Sequence, residues 1–127
     1  MAENTFTILC VDDEQTALFL RKAVLQRFGF NVITAGSAKE ALELLRQQHV
    51  DLLLSDLLMP EMIGTELARL AKEMRPELPV VVVSGVNEIP PEAAYADLFV
   101  SKLEGPVALC NHLRKVLEQK SLSKGTA

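Results

Sequence analysis

Short apolar runs alternate along the chain with longer segments in which apolar residues recur every three or four positions. The short runs predict strands buried on both faces, and the longer segments predict amphipathic helices. Strands that alternate with helices are typical of a parallel sheet with helices on both faces. The predicted strands lie at about 6–11, 31–35, 50–55, 80–83 and 97–101, and the helices at about 15–28, 38–48, 64–74 and 105–119.

The stretch 86–96, between the fourth and fifth predicted strands, departs from this alternation. It contains Pro90 and Pro91, which block helical continuity early in the stretch because proline lacks the backbone N–H donor. We therefore expect at most one or two helical turns there, so that the fourth helix of the alternation is shortened or irregular.

The chain has 127 residues, 49% of them hydrophobic, which is enough for one domain with a substantial core. We expect that domain at 1–120, followed by a polar tail at 121–127 that is frayed or begins a linker. The net charge of −4 argues against direct nucleic-acid binding. No apolar run is long enough for a membrane helix, and no basic segment introduces a signal peptide, so a cytoplasmic location is expected. Cys10 and Cys110 form no metal or redox motif and are expected to be buried packing residues.

Acidic residues stand where two of the predicted strands end. Asp12 and Asp13 follow the first strand, and Asp56 follows the third. The carboxyl ends of parallel strands line the crevice where open α/β sheets bind ligands, so we expect these three side chains to meet. Carboxylates 4 Å apart in a wet site repel by roughly 1–4 kcal/mol per pair, and a divalent cation removes that repulsion. Oxygen ligands of this kind suit Mg²⁺, which is the predicted cofactor.

A hydroxyl and an amine stand at the ends of the fourth and fifth predicted strands. Ser84 follows the fourth strand and Lys102 follows the fifth. A carboxylate can act as a nucleophile toward phosphorus, while a metal, an ammonium and a hydroxyl neutralise and bind the phosphoryl oxygens. The four strand ends together therefore predict phosphoryl-transfer chemistry.

Taken in order, these strand ends resemble the receiver domain of two-component response regulators, of the chemotaxis-regulator type. The resemblance covers about 5–120, and it implies a flavodoxin-like, doubly wound parallel sheet of five strands in the order 2-1-3-4-5. The matching segments are Val11-Asp12-Asp13-Glu14, Asp56-Leu57-Leu58-Met59-Pro60, Val83-Ser84-Gly85 and Phe99-Val100-Ser101-Lys102.

The resemblance also implies roles for the acidic residues. Asp56 is the expected acceptor of a phosphoryl group from a phosphohistidine of a sensor histidine kinase or phosphotransfer protein. Asp13 and Asp56 are expected to bind Mg²⁺ directly and Asp12 through water, with the backbone carbonyl of Leu58 as a further ligand. Such a domain assists its own phosphorylation, with possible autodephosphorylation, but is not an enzyme that turns over a free substrate.

The remaining roles implied by the resemblance concern switching. Ser84 and Lys102 are expected to bind the phosphoryl group. Phe99 is expected to turn inward when Ser84 moves toward that phosphoryl group. The result is a changed protein-interaction surface for a downstream effector that the sequence does not identify; no direct partner among nucleic acids or membranes is expected.

Two departures from the family pattern matter most. Lys102 is followed by Leu103 where the family has proline after a cis peptide; since a cis non-proline bond costs roughly 2.5–4 kcal/mol, trans is expected and the pose of Lys102 is left open. Ser84 and Lys102 are only 18 residues apart, which again indicates a short fourth helix. Leu58 and Val86 flank the site with side chains that cannot position an attacking water, so slow autodephosphorylation is expected.

Other interpretations of the same residues remain open at this point. Asp12 and Asp13 would serve as helix caps, Asp56 and Ser84 as turn residues and Lys102 as a solvated charge in an ordinary domain. A pseudo-receiver, which binds a partner without phosphorylation, is the main functional alternative. A Mg²⁺-dependent phosphohydrolase would need an acid where Leu58 stands, and a nucleotide- or flavin-binding module would need a glycine-rich loop that is missing after the first strand.

Overall fold

The computed structural model describes residues 5–85 and 95–125, with side chains up to residue 120. The strands are β1 (Thr7–Val11), β2 (Asn31–Ala35), β3 (Leu52–Asp56), β4 (Val80–Ser84) and β5 (Leu98–Ser101). The α-helices are α1 (Gln15–Arg27), α2 (Ala38–Gln47), α3 (Gly64–Met74) and α4 (Gly105–Gly125), and a single 3₁₀ turn covers Lys102–Glu104.

The five strands form one parallel sheet in the order β2-β1-β3-β4-β5. Helices α2 and α3 cover one face, where Leu53 packs in a cluster with Ala41 and Leu67. Helices α1 and α4 cover the other face, where Leu54 and Leu113 belong to a second cluster. Because β3 is buried on both faces, its sequence is a nearly continuous apolar run rather than an alternating one. The predicted fold class and strand order are confirmed.

Local sequence signals explain how α2 begins. The Oγ of Ser37 accepts a hydrogen bond from the backbone N–H of Glu40 at 3.1 Å, as a capping residue does. The Glu40 carboxylate in turn accepts from the N–H of Gly36 at 2.9 Å, rather than from that of Ser37 itself. These two hydrogen bonds satisfy the backbone N–H groups of Gly36 and Glu40 at the start of α2.

The last helix differs from its prediction. It continues to Gly125 instead of ending near residue 119, so residues 121–125 are helical. Neither glycine nor proline occurs between Pro106 and Gly125, so no residue in this span breaks the helix. The division between domain and tail at residue 120 remains a prediction.

Two further predictions concern the rest of the chain. Of the stretch 86–96, residues 86–94, with Val86, Pro90 and Pro91, lie outside the described residues, and β5 follows directly after a turn at 95–97. Cys10 and Cys110 are buried free thiols, as expected. None of the helices in the described part of the chain is both long and apolar enough to cross a membrane.

Candidate functional site

The three predicted acidic residues meet at the carboxyl edge of the sheet. β1 and β3 are neighbours with Val11 opposite Ser55, so the residues that follow, Asp12 and Asp56, come side by side. One carboxylate oxygen from each of Asp12, Asp13 and Asp56 lies within 4.8 Å of the other two. Asp12 and Asp56 are only 4% and 5% exposed, whereas Asp13 faces solvent. These three residues form a cluster that is open to solvent at Asp13, and we call it the acidic pocket.

Lys102 reaches this acidic pocket from β5. Its Nζ lies 2.7 Å from Oδ1 of Asp56, and the lysine side chain is 40% exposed while that of Asp56 is 7% exposed. The Lys102–Leu103 peptide is trans. The Oγ of Ser101 accepts from the N–H of Leu103 at 3.1 Å and so caps the 3₁₀ turn, which ends at Gly105 with φ of 87°. A capped turn directly after β5 therefore brings the ammonium to Asp56 although no proline follows the lysine.

The electrostatic setting of Asp56 fits a cation-binding carboxylate. Burial raises the pKa of Asp56 above its ordinary value; the hydrogen-bonding contact with Lys102 lowers it, and the charge of Asp12 raises it further. Oδ1 of Asp56 is buried, and Lys102 is the donor that the described residues provide for it. A converging set of carboxylate oxygens suits a hard cation such as Mg²⁺.

The backbone after β3 is held tightly around Asp56. The N–H of Leu57 donates to the carbonyl of Val83 at 2.9 Å, and the Leu57 carbonyl accepts from the N–H of Gly64 at 2.6 Å. A Cβ at position 64 would lie 2.4 Å from the Asp56 carbonyl oxygen, so only glycine allows α3 to begin this close. The Leu58 side chain is 51% exposed, and no described hydrogen bond is made to its carbonyl oxygen, the predicted ligand.

The two predicted switch residues lie on adjacent strands beside the acidic pocket. Ser84 is the last residue of β4, one position beyond Val83, which pairs with Asp56. Phe99 pairs with Val82 across β4 and β5, and its half-buried ring packs against the cluster beneath α2 and α3. The switching roles of both residues remain predictions.

Arg21 is a charged residue of the site that no sequence motif identified. Its Nη1 lies 3.4 Å from Oδ2 of Asp12, and the arginine side chain is only 14% exposed. The other oxygen of Asp12 accepts from the N–H of Glu14 at 3.0 Å, so Asp12 also orders the approach to α1, although Glu14 is the capping position of that helix. The spacing held a signal for Arg21, because it lies between Leu18 and Leu25 on the buried stripe of α1.

Comparison with known proteins decides the family. A sequence profile described as "Response regulator receiver domain" matches residues 8–114, which is most of the chain. The chain belongs to the response regulator receiver family. The four strand-end motifs of the sequence and the strand order of the fold agree with this assignment.

Individual relatives extend the comparison. The autoinducer 1 sensor kinase/phosphatase LuxN of Vibrio harveyi is 36% identical over 121 residues, which cover 95% of this chain and 14% of LuxN. A response regulator receiver domain protein of Clostridium thermocellum superposes with a TM-score of 0.85 at 26% identity, covering 92% of this chain and 98% of that one. TrrA of Thermotoga maritima, solved in complex with Mg²⁺-BeF, has a TM-score of 0.80 at 27% identity, covering 87% of this chain and 97% of TrrA.

The curated relatives are longer proteins. The chain spans between 14% and 28% of the length of the first six of them, which include sensor kinases and transcriptional regulators. Receiver domains in general are phosphoacceptors of two-component systems rather than enzymes with a free substrate, and they work with histidine kinases or phosphotransfer proteins.

Proposed function

We propose that this receiver is a phosphorylation-activated switch in which Asp56 accepts a phosphoryl group from a partner phosphohistidine. The single observation that supports it most is the position of Asp56, buried at the end of β3 with the Lys102 ammonium 2.7 Å away. Asp12 and Asp13 lie within 4.8 Å on its other side. A structural aspartate such as Asp51 instead accepts a hydrogen bond from the N–H of a neighbouring strand.

The transfer itself is a displacement at phosphorus. An oxygen of the Asp56 carboxylate forms the new P–O bond while the P–N bond to the donor histidine breaks, and the imidazole nitrogen keeps that electron pair and takes up a proton. Lys102 holds positive charge beside the incoming phosphoryl oxygens. Its short distance to Oδ1 leaves the other carboxylate oxygen of Asp56 for the attack.

Three carboxylates and a phosphoryl group cannot share the pocket without added positive charge. Mg²⁺ would be held by Asp13 and Asp56 directly, by Asp12 through water and by the Leu58 carbonyl, and when bound it neutralises the phosphoryl oxygens. The described carboxylates fit this cation, and TrrA, a structural relative, was solved with Mg²⁺-BeF. In this chain the assignment of ligands is part of the proposal.

Switching follows from the charge that phosphorylation adds, about −1.5 to −2 with three acceptor oxygens. Ser84, at the end of β4, and Lys102, at the end of β5, would both bind these oxygens. Movement of Ser84 would reshape the loop after β4 and give Phe99 space to turn inward, which changes the surface shown to an effector. Because Leu58 offers no polar group to an attacking water, we expect the phosphorylated state to outlast a few seconds.

The experiment is incubation of the purified chain with acetyl phosphate, or with the phosphoryl mimic beryllofluoride, with and without Mg²⁺. Protein mass reports phosphorylation, and backbone amide NMR reports the response of the fold. The wild type should gain one phosphoryl mass only with Mg²⁺, and amide shifts should spread from Asp56 to Ser84 and Phe99. Asp56→Asn should abolish the modification, whereas Asp51→Asn, a matched change at the opposite edge of the sheet, should leave it intact.

The alternative is a phosphorylation-independent binding module with the same fold. Mg²⁺ binding without modification or amide shifts would support that alternative and overturn the switch. Modification that persists in Asp56→Asn would instead show that another residue is the acceptor. The cytoplasmic location expected from the sequence is part of the same proposal, because the phosphodonor must reach the acidic pocket.

A further inference from the structure

Arg21 is a charged residue on a face of α1 that is otherwise apolar. The buried residues of this helix are Leu18 and Leu25, and Arg21 stands between them at helical spacing. Its side chain is 14% exposed, so the guanidinium has lost most of its water. Burying a cation is costly unless a partner compensates, and the partner here is Asp12 in the acidic pocket, 3.4 Å away and 5% exposed.

The electrostatic influence of Arg21 extends beyond Asp12. Its positive charge lowers the pKa of Asp56, against the larger effect of burial. It also opposes the burial that raises the pKa of the neighbouring Cys10 thiol to about 11. The guanidinium therefore acts on two of the three carboxylates that would bind Mg²⁺.

The charge balance of the pocket follows from these pairs. Three carboxylates converge, and two cations, Lys102 and Arg21, each pair with one of them. Part of the repulsion that would favour a divalent cation is thus already relieved by the protein itself. Mg²⁺ and Arg21 act on the same acid, Asp12, so each weakens the hold of the other on it.

Space exists for Arg21 to move. A cavity of about 300 Å³ lies between α1 and α4, and Arg21 lines it together with Leu20, Lys102 and Leu109. The cavity leaves open space beside the Arg21 side chain. Because Lys102 lines the same cavity, both cations of the pocket border it.

We propose that Arg21 is a resident counter-ion of the acidic pocket, which competes with Mg²⁺ for Asp12 and lowers the Mg²⁺ affinity of this receiver. This inference rests on the Mg²⁺ site of the proposed function and makes Arg21 a positioning residue, since it acts through Asp12. The expected effect on Mg²⁺ affinity has an unusual direction. Removal of this buried ion pair should strengthen Mg²⁺ binding, whereas removal of a purely structural arginine would leave the binding unchanged or weaken it.

The test is a Mg²⁺ titration of the full chain by calorimetry and amide NMR, which needs no phosphorylation. Arg21→Met should tighten Mg²⁺ binding about tenfold, because Asp12 would then have no competing cation and its full charge would attract the divalent ion. Arg21→Lys should stay within about threefold of the wild type. Arg27→Met removes the same charge from an exposed position on α1 and should change the affinity less than twofold.

A second background makes the test independent of folding losses. In Asp12→Asn, where the partner of Arg21 is no longer charged, Arg21→Met should alter Mg²⁺ affinity far less than in the wild type. Arg21→Gln serves in place of Arg21→Met if that variant loses its dispersed amide spectrum. In the wild type, the Arg21 Nε–H resonance should shift as Mg²⁺ is added.

The outcomes separate this inference from the proposed function. If the wild type binds Mg²⁺ but Arg21→Met and Arg21→Gln bind it no more tightly, the counter-ion role is wrong and the phosphorylation switch stands. If the wild type binds no Mg²⁺ at millimolar concentration, the metal site fails and the inference fails with it. Equal effects of Arg21→Met and Arg27→Met would reduce the role of Arg21 to net charge, which also contradicts it.

Discussion

Aspartates at the two edges of the sheet do different work. At the amino edge, Asp51 accepts from the N–H of Thr7 at 2.7 Å, and Asp97 accepts from the N–H of Val80 at 2.7 Å. Each also has a basic neighbour, His49 at 2.9 Å and Lys72 at 2.8 Å. These acids stand just before β3 and β5 and satisfy the first N–H of a neighbouring strand, so they serve the fold.

At the carboxyl edge, the acids are brought together instead of being distributed. Asp12, Asp13 and Asp56 share one pocket, where Lys102 is the described donor to Oδ1 of Asp56. Aspartates are thus paired with strand N–H groups at one edge and gathered against one another at the other. The difference teaches that convergence of carboxylates, rather than the presence of an acid beside a strand, distinguishes the edge for which we propose a function.

The largest effect should come from the backbone that supports the carboxyl edge. Gly64→Ala would place a Cβ 2.4 Å from the Asp56 carbonyl oxygen and 3.1 Å from the Leu57 Cα, so α3 or the end of β3 must shift. We expect a loss of about 2–4 kcal/mol in the free energy of unfolding and impaired phosphorylation of Asp56. Denaturant unfolding and acetyl phosphate labelling measure the two effects.

Gly36→Ala is the matched control for this substitution. A Cβ there would lie 3.8 Å from the Glu40 carboxylate, an ordinary contact with a flexible side chain. Its effect on stability should stay within about 0.5 kcal/mol, with phosphorylation unchanged. Equal stability of Gly64→Ala and Gly36→Ala would show that α3 does not constrain Asp56 as described.

An intermediate effect is expected at the amino edge. Asp97→Ala removes the acceptor for the N–H of the buried Val80 and the partner of Lys72. Leaving that donor unsatisfied should cost about 1–3 kcal/mol of stability, measured by denaturant unfolding. Asp56 should still be phosphorylated, because the two edges lie at opposite ends of the strands.

Asp97→Asn tests which property of Asp97 matters. Its amide oxygen can still accept from Val80, so the loss should fall below about 1 kcal/mol, the usual worth of an exposed ion pair. A loss as large as that of Asp97→Ala would assign the effect to charge rather than to the hydrogen bond. A loss of phosphorylation in either variant would break the contrast between the edges.

The architecture was accessible from the sequence because its signals are local and repeated. Five apolar runs separated by helical periodicity are enough for a parallel doubly wound sheet, and the strand order followed from the family resemblance. The end of α4 was not, because Leu117 is its last described buried residue and only the lack of a helix breaker allows it to continue to Gly125.

The acidic pocket was predictable in its members but not in its supports. Asp12, Asp56 and Lys102 follow strands of one parallel sheet, so they share its carboxyl edge, and the strand order implied by the family resemblance makes β1 and β3 neighbours. Arg21 and Gly64 support the pocket through contacts between residues distant in sequence. Arg21 contacts Asp12 from α1, and Gly64 lies against the backbone of Asp56. Only spacing hinted at Arg21, and a glycine at a helix start has many other uses.

The smallest effect expected is a gain in stability at the functional edge. Because burial and the charge of Asp12 raise the pKa of Asp56, its ionised form is less favourable in the folded chain than in the unfolded chain. The folded state therefore binds the proton more readily, and stability falls as pH rises past the ordinary carboxyl range. Asp56→Asn removes that charge and should raise the unfolding free energy at pH 7 without Mg²⁺ by about 1 kcal/mol, close to 4 °C in midpoint.

Lowering the pH sharpens this last comparison. As Asp56 of the wild type becomes protonated it turns neutral like asparagine, so the advantage of Asp56→Asn should shrink toward acid pH. Excess Mg²⁺ should also reduce the stability difference between Asp56→Asn and the wild type at pH 7, because the cation stabilises the folded protein that binds it, and the wild type keeps all three carboxylates. At the amino edge, Asp51→Asn should bring no comparable gain, since Asp51 already has a backbone donor. An Asp56→Asn variant less stable than the wild type at pH 7 would mean that the Lys102 ion pair outweighs burial and repulsion, and that both edges are built for stability.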